Sequence, residues 1–282
     1  MPERPEPTKQ DDDSKAVPFL RWVGGKRGLA RRLVELAPKD AASRQYVEPF
    51  LGAGSLFFAL APAKAILGDA NAHLVSCYRH IRDSAASVAS QLRHHAVAHD
   101  VDHYYRVRGL YNRAGASQAR AAHFIYLNHA CFNGVFRVNE SGEFNVPVGS
   151  KEEPNFPTAG ELARVARALK QAKLVVGDFE TTLDLAKKGD FVYLDPPYPP
   201  VNGTAYFTHY TKDRFAEDDQ KRVAKLVREL DKRGCDVMVT NAGRHTIKNL
   251  YKGFSFNRLT VTRWITCNKK KHRVHEVVIT NY

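Results

Sequence analysis

The sequence predicts an α/β fold: a mostly parallel sheet with helices on both faces, a C-terminal antiparallel hairpin and a mostly helical insertion. Three observations predict it. From about Tyr46, short apolar runs alternate with amphipathic stretches, as expected of helices packed on both faces of a sheet. A glycine turn, Glu48-Pro-Phe-Leu-Gly-Ala-Gly-Ser55, separates a strand pattern from a helix pattern. The strongly apolar run Phe191–Leu194 ends on a carboxylate, Asp195.

Taken in order, residues 1–16 combine three prolines with many charges and no large apolar side chain, and are expected to form a disordered tail. Residues 45–50 read as a strand, 55–60 as the start of a helix, 64–68 as a second strand ending at Asp69, and the stretch to about Arg82 as helix. Residues 84–128 are helical in pattern, with apolar residues at mixed intervals of three and four. The pattern breaks over 129–158, which contain Gly134, Gly142, Gly149, Pro147, Pro154 and Pro157. A loop that long is ordinarily functional or disordered. Beyond it come a helix over 161–171, a strand over 173–176, the strand 191–194, an amphipathic helix over 217–233 and a strand over 236–240. The alternating runs 259–267 and 274–280 flank Asn268–Arg273 and predict a terminal hairpin. The expected organisation is a catalytic unit from 17–83 and 159–282, interrupted by an inserted unit over 84–158.

The 282 residues carry a formal net charge of +13 and a sequence pI near 9.6, which favours a polyanionic partner. Cys77, Cys131, Cys235 and Cys267 form no C-x-x-C pair, so no structural metal site is expected. No apolar run approaches the roughly 20 residues of a membrane helix, and no signal-peptide pattern is present. A cytoplasmic protein with free thiols and no membrane association is expected.

Gly52 and Gly54 let the backbone turn tightly and approach a ligand. Turns of this kind bind nucleotides at strand C-termini, and Asp69 at the next strand end can accept hydrogen bonds from a ribose. Taken alone, the turn could equally be a plain strand-to-helix connection. Upstream, Phe19-Leu-Arg-Trp-Val-Gly-Gly-Lys26 lacks Walker spacing because Arg27 follows the lysine. Gly24 and Gly25 could bring Trp22 and Lys26 against a cofactor, or simply form a turn.

Asp195-Pro196-Pro197-Tyr198 is the sharpest signal. The prolines fix φ and give up their amide hydrogens, which leaves rigid backbone carbonyls able to accept. The amine on a nucleobase is a poor nucleophile because its lone pair is delocalised. Two acceptors, the Asp195 carboxylate and the Pro196 carbonyl, can draw it toward tetrahedral geometry, and Tyr198 can stack on the ring. Positioning and electrostatics would carry such catalysis. The plainer reading makes Asp195 the cap of a rigid turn.

The residues resemble the Dam-type DNA adenine-N6 methyltransferases. The motifs FLRWVGGK, YVEPFLGAGS, GDAN, FNGVFRVNESGEFNVP, GDF and DPPY stand in family order across nearly the whole chain. The resemblance implies a Rossmann-like methyltransferase sheet, S-adenosyl-L-methionine as cofactor and double-stranded DNA as partner, with the target adenine flipped out of the duplex. It implies that Trp22, Lys26, Phe50, Gly52 and Gly54 surround the methionine end of the cofactor, that Gly24 and Ser55 also bind it, that Asp69 holds the ribose, and that Asp178 and Phe179 hold the adenine. Asp195 would lie between cofactor and base.

The insertion is similar to the family's target-recognition domain for GATC. Phe132 takes the place of an aromatic wedge, and Arg137 that of a bidentate guanine reader. Arg21 stands where a lysine commonly touches the other guanine. Asn133, Asn139, Asn145 and Pro147 match positions near bases or phosphates. A cognate restriction endonuclease is a further candidate partner. Other targets stay open: a different sequence, cytosine N4, or a DNA-binding regulator without catalysis. A nicotinamide dehydrogenase is disfavoured by the missing third glycine.

Arg106, Arg108, Arg113 and Arg120 read either as phosphate contacts or as a solvated basic face. The basic stretch 268–273 reads as a phosphate contact. His94, His95, His99 and His103 read as surface histidines rather than metal ligands.

Overall fold

In the computed structural model, residues 15–198, 215–265 and 270–282 are described, with backbone alone for 261–265 and 270–274. The predicted tail up to residue 14 and the expected hairpin tip around 266–269 lie outside the described residues.

Seven strands form one sheet: β1 (Gln45–Glu48), β2 (Lys64–Asp69), β3 (Ala172–Val176), β4 (Phe191–Leu194), β5 (Asp236–Ala242), β6 (Ser255–Ile265) and β7 (Lys270–Thr280), in the order β3-β2-β1-β4-β5-β7-β6. β1 to β5 are parallel, and β7 pairs antiparallel with β5 and with β6. This is the α/β sheet with a terminal antiparallel hairpin that the pattern predicts. The hairpin strands are longer than expected, and 270–273, expected as loop, belong to β7. The reason is pairing: the ladder continues from Ser255↔Thr280 to Ile265↔Lys270, so the lysines extend the strand instead of forming the turn.

The described helices are α1 (Ala30–Leu36), α2 (Ser55–Leu60), α3 (Ala72–Val97), α4 (Val101–Arg113), α5 (Gln118–Ala130), α6 (Ala159–Leu169), α7 (Phe179–Leu183), α8 (Glu217–Arg233) and α9 (His245–Leu250). The pattern did not announce α1, α7 and α9, which are five to seven residues long, too short for a helical period to emerge.

Because strand side chains alternate, the sheet has two apolar faces. Tyr46, Leu67, Phe191, Tyr193, Met238 and Val278 join the cluster built with α1, α2, α3, α5 and α6. Val47, Val192, Leu194, Val237, Val239 and Ile279 join the cluster built with α7, α8 and α9. The 84–158 segment adds Tyr104, Val107, Tyr111, Phe136, Phe144 and Val146 to the first cluster, so its apolar side chains are continuous with the core of the sheet. Its expected start coincides with Ser84, the point inside α3 where the backbone leaves helical geometry at φ −152°.

The long 129–158 segment is ordered by two isolated antiparallel bridges, Cys131↔Val148 and Val138↔Phe144, and by side chains that add to them. Tyr104 donates to the Val146 carbonyl at 2.9 Å. Asn112 brackets Phe144, accepting from its N–H at 2.9 Å and donating to its carbonyl at 3.1 Å. His94 is exposed as expected, whereas the surface expectation is corrected for His103. His103 is buried, and its Nε2 lies 3.1 Å from His95 Nδ1, while Arg106 donates to its Nδ1 at 2.7 Å. Packing against Tyr126 draws these rings inward.

Gly68 in β2 fits under α7 because it lacks a side chain. A Cβ there would lie 2.0 Å from Thr182 Oγ1 and 2.9 Å from Thr182 Cβ. Overpacking of this kind costs about 1–3 kcal/mol. Gly68→Ala is therefore expected to lower the free energy of unfolding in urea by about that amount, and adding Thr182→Ala should return part of it. No loss on the first change would mean that β2 and α7 are loosely packed.

Candidate active site

The strand order reverses between β1 and β4: β2 and β3 lie beyond β1 on one side, β5 beyond β4 on the other. In such sheets ligands bind outside the strand C-termini at this switch point. The chain segments leaving β1 and β4 there are the glycine turn and Asp195-Pro-Pro-Tyr198.

The glycine turn depends on positive φ at Gly52 (47°) and Gly54 (64°). Trp22 lies against Gly52, where a Cβ would sit 2.9 Å from the indole Cδ1. Asp69 braces the turn, accepting from the Gly52 N–H and the Asn71 N–H, both at 2.9 Å. Ser55 begins α2, and its buried Oγ has no hydrogen-bond partner among the described residues. Lys26 reaches in beneath the Gly24–Gly25 turn, donating to the Gly24 carbonyl at 2.9 Å and to Asp195 Oδ2 at 2.7 Å.

Asp195 is held on both oxygens. Lys26 takes one, and Thr240 Oγ1 donates to the other at 2.6 Å. Tyr193 Oη lies 3.0 Å from the same hydroxyl; since an ionised carboxylate only accepts, the polarity runs Tyr193 to Thr240 to Asp195. The Pro197 carbonyl accepts from Gln220 Nε2 at 2.7 Å, whereas no described residue hydrogen-bonds the Pro196 carbonyl. Tyr198 donates to Glu276 at 2.9 Å, and the Lys26 ammonium lies 4.7 Å from its ring centroid. Sequence reasoning missed Thr240, Gln220 and Glu276. Only Glu276 carried a signal, being an acid in an otherwise apolar run.

Glu48, quoted in the glycine motif but given no role, is buried and accepts from Tyr46 Oη at 3.0 Å. Burial holds its carboxyl well above the usual range, against the Tyr46 hydrogen bond, and the charges of Asp195 and Asp69 add to the effect.

Phe50 and Phe179 pack with centroids 5.3 Å apart, with Phe215 edge-on to Phe50 at 5.9 Å. The Arg222 guanidinium covers Phe179 at 4.6 Å. Asp178 caps α7 through the Glu180 N–H and pairs with Arg222 at 3.1 Å, so its Oδ1 is already engaged.

The insertion residues gather on a second surface joined to the first through Arg21 and Trp22. Asn128, buried, accepts from the Arg21 N–H at 2.8 Å and donates to the Arg21 and Gly134 carbonyls at 2.8 and 3.2 Å. The Arg21 side chain lies where a Gly134 Cβ would be, 2.7 Å from its Cδ. Trp22 stacks on Phe136 at 5.9 Å. Phe132 projects with 54% of its surface exposed, its N–H fixed to the Pro147 carbonyl at 2.9 Å. Next to it, Asn133 adopts φ 55°. Arg137 Nε donates to Asn145 Oδ1 at 2.8 Å, and Asn139 is paired with Glu143. Arg108 donates to the Val146 carbonyl at 3.3 Å and covers the Tyr105 ring. Arg120 is turned inward, donating to the Tyr111 carbonyl at 3.2 Å, which removes it from the set of expected surface cations.

Burial raises the Asp69 carboxyl to about 6 from 3.8, although the two backbone N–H bonds oppose the shift. A folded-state value above the unfolded one means the contribution to stability is full below about pH 4 and is lost as pH rises through about 6. The stability of the parent relative to Asp69→Asn should therefore fall across that window, by about 3 kcal/mol at most. Urea titrations at successive pH values measure it. A difference that rises with pH would mean that the two N–H donors outweigh burial.

Residues 22–265 match the family of D12 class N6 adenine-specific DNA methyltransferases. The chain is 38% identical to the type II methyltransferase M.MjaIII of Methanocaldococcus jannaschii over 94% of its own length and 99% of the relative's. It is 34% identical to the type II methyltransferase M1.LlaDCHI of Lactococcus lactis subsp. cremoris, covering 94% and 95% of the two chains. With the DNA adenine methylase of Escherichia coli K12 the identity is 32%, over 89% of each. A match of this extent, running through both the glycine turn and the Asp195 loop, places the chain in the D12 class of N6 adenine-specific DNA methyltransferases, with S-adenosyl-L-methionine as its methyl donor.

Proposed function

We propose that this chain methylates adenine N6 at GATC in duplex DNA, with the base flipped out of the helix. The observation that carries the reading is the loop after β4. Asp195 is fixed on both oxygens while the adjacent Pro196 carbonyl has no hydrogen-bond partner among the described residues. That leaves one carboxylate and one carbonyl to accept the two hydrogens of an amine.

The neighbouring residues fit S-adenosyl-L-methionine. Ser55 Oγ is buried without a described partner, and each Asp69 oxygen keeps a second lone pair beyond its one backbone N–H. A side chain at Gly52 would fill the space against Trp22. In this reading Trp22, Gly24, Lys26, Phe50, Gly52, Gly54, Ser55 and Asp69 hold the cofactor, with Asp178 and Phe179 at its adenine. When bound, the cofactor would supply an electrophilic methyl group, its sulfur leaving with the S–C bonding pair. Asp195 and the Pro196 carbonyl would orient the amine lone pair toward that methyl, and the Asp195 carboxylate would take the proton that the amine gives up. Lys26 and Thr240 keep that carboxylate aimed, and Pro197 and Tyr198 keep the loop rigid with the ring beside the base.

Residues 84–158 act as the target-recognition unit on the frame of 17–83 and 159–282. Phe132 is the wedge, Arg137 and Arg21 read guanine, and Arg108, Asn133, Asn139, Asn145 and Pro147 meet the duplex around them. The net charge of +13 supports a polyanionic partner. The likeness to two type II methyltransferases supports a cognate restriction endonuclease as partner. No helix among the described residues is long and apolar enough to cross a membrane.

With tritiated cofactor and two unmethylated duplexes, one holding a single GATC and one holding GTAC instead, label is expected as N6-methyladenine in the first only. Label in both would end the GATC assignment. Asp195→Ala should lose about 10²–10³-fold in turnover with DNA affinity kept.

Arg137→Ala should relax discrimination at one guanine by about 1–3 kcal/mol, read from methylation rates on duplexes substituted at each position. Equal loss on every duplex would make Arg137 a phosphate contact.

A further inference from the structure

We propose that Gln220, oriented by Asn241, is a positioning residue that anchors the Asp195-Pro-Pro-Tyr198 loop so that the Pro196 carbonyl stays aimed at the target amine. The inference rests on the reading of this loop as the site of methyl transfer.

The need for such an anchor follows from the prolines. Pro196 and Pro197 have no N–H, so the centre of the loop has no main-chain donor with which to tie itself down. There the backbone can be held only through carbonyls, and one of these must stay available to the substrate. Gln220 Nε2 takes the Pro197 carbonyl at 2.7 Å. Asn241 Nδ2 donates to Gln220 Oε1 at 3.0 Å, and the Ala242 N–H donates to Asn241 Oδ1 at 2.8 Å. Gln220 is 3% exposed and Asn241 0%.

The polarity of this chain is forced. It starts on a backbone N–H, which can only donate, and ends on a prolyl carbonyl, which can only accept. Each amide between them therefore has one workable orientation. A flipped Gln220 would set oxygen against oxygen at Pro197 and nitrogen against nitrogen at Asn241. The chain ties α8 and the end of β5 to the loop after β4, and it competes with no substrate group. It also keeps the neighbouring Pro197 carbonyl occupied.

Gln220→Glu tests this, because it keeps the shape and changes the polarity. Ionised, the carboxylate opposes the Pro197 carbonyl. Protonated, its hydroxyl donates to Pro197 and its carbonyl accepts from Asn241, as the amide does. At about pH 8, kcat is expected to fall about 10–100-fold while the affinities for S-adenosylhomocysteine and duplex, measured by calorimetry, stay within about twofold. Lowering the pH toward about 6 should return kcat toward that of the parent at the same pH. Gln220→Met, which cannot donate at any pH, should show the loss without the recovery, with its melting temperature near the parent's. Full kcat in Gln220→Met would overturn the proposal. So would a loss in Gln220→Glu that is equal at every pH or matched by weakened cofactor binding. A parent chain that methylates no duplex would instead overturn the functional reading, and the role of Gln220 with it.

Discussion

The 2.7 Å contact between Lys26 and Asp195 is the constraint around which the rest of the molecule is arranged. Both groups are largely withdrawn from water, with 6% and 17% of their side chains exposed. Removing one partner of such a buried pair leaves an uncompensated charge, at a cost of about 3–5 kcal/mol. Thr240 satisfies the second Asp195 oxygen, so the carboxylate is both paired and hydrogen-bonded, as a buried charge must be. A lysine from the N-terminal segment, a strand end from the middle of the chain and a threonine from β5 are thereby tied to one point.

Other contacts extend from that point. Lys26 reaches Asp195 from the segment before α1, and the same segment lays Trp22 against the glycine turn and ties Arg21 to the insertion. Asn128 locks that arrangement by reading the backbone of Arg21 in both directions. The glycine turn and the 84–158 insertion thus meet through two consecutive residues, Arg21 and Trp22. The aromatic cluster of Trp22, Phe124, Phe136 and Phe144 makes that junction stiff.

The proline pair has two consequences of opposite sign. It removes two main-chain donors from the loop, and it leaves rigid carbonyls that can accept. Neighbouring elements make good the loss: Gln220 from α8 and Glu276 from β7 each take one group of the loop. A site that needs acceptors is built by deleting donors, and the packing around it supplies the support.

The sequence by itself determined the α/β class, most strands and the long helices, because side-chain period is a local property and apolar runs such as Phe191–Leu194 admit one reading. The glycine turn and Asp195-Pro-Pro-Tyr198 were legible as well, since tight turns and proline-stiffened carbonyls are written in consecutive residues. Tertiary structure alone decided what surrounds Asp195. Thr240 and Gln220 lie in an ordinary strand and an ordinary amphipathic helix, and nothing in their own neighbourhoods separates them from dozens of similar residues. Their roles arise from a strand order that sets β4 beside β5 and from α8 packing on the same face. The histidines turned inward around Tyr126 for the same reason: burial depends on what packs against a helix, and a single helix does not encode its neighbours.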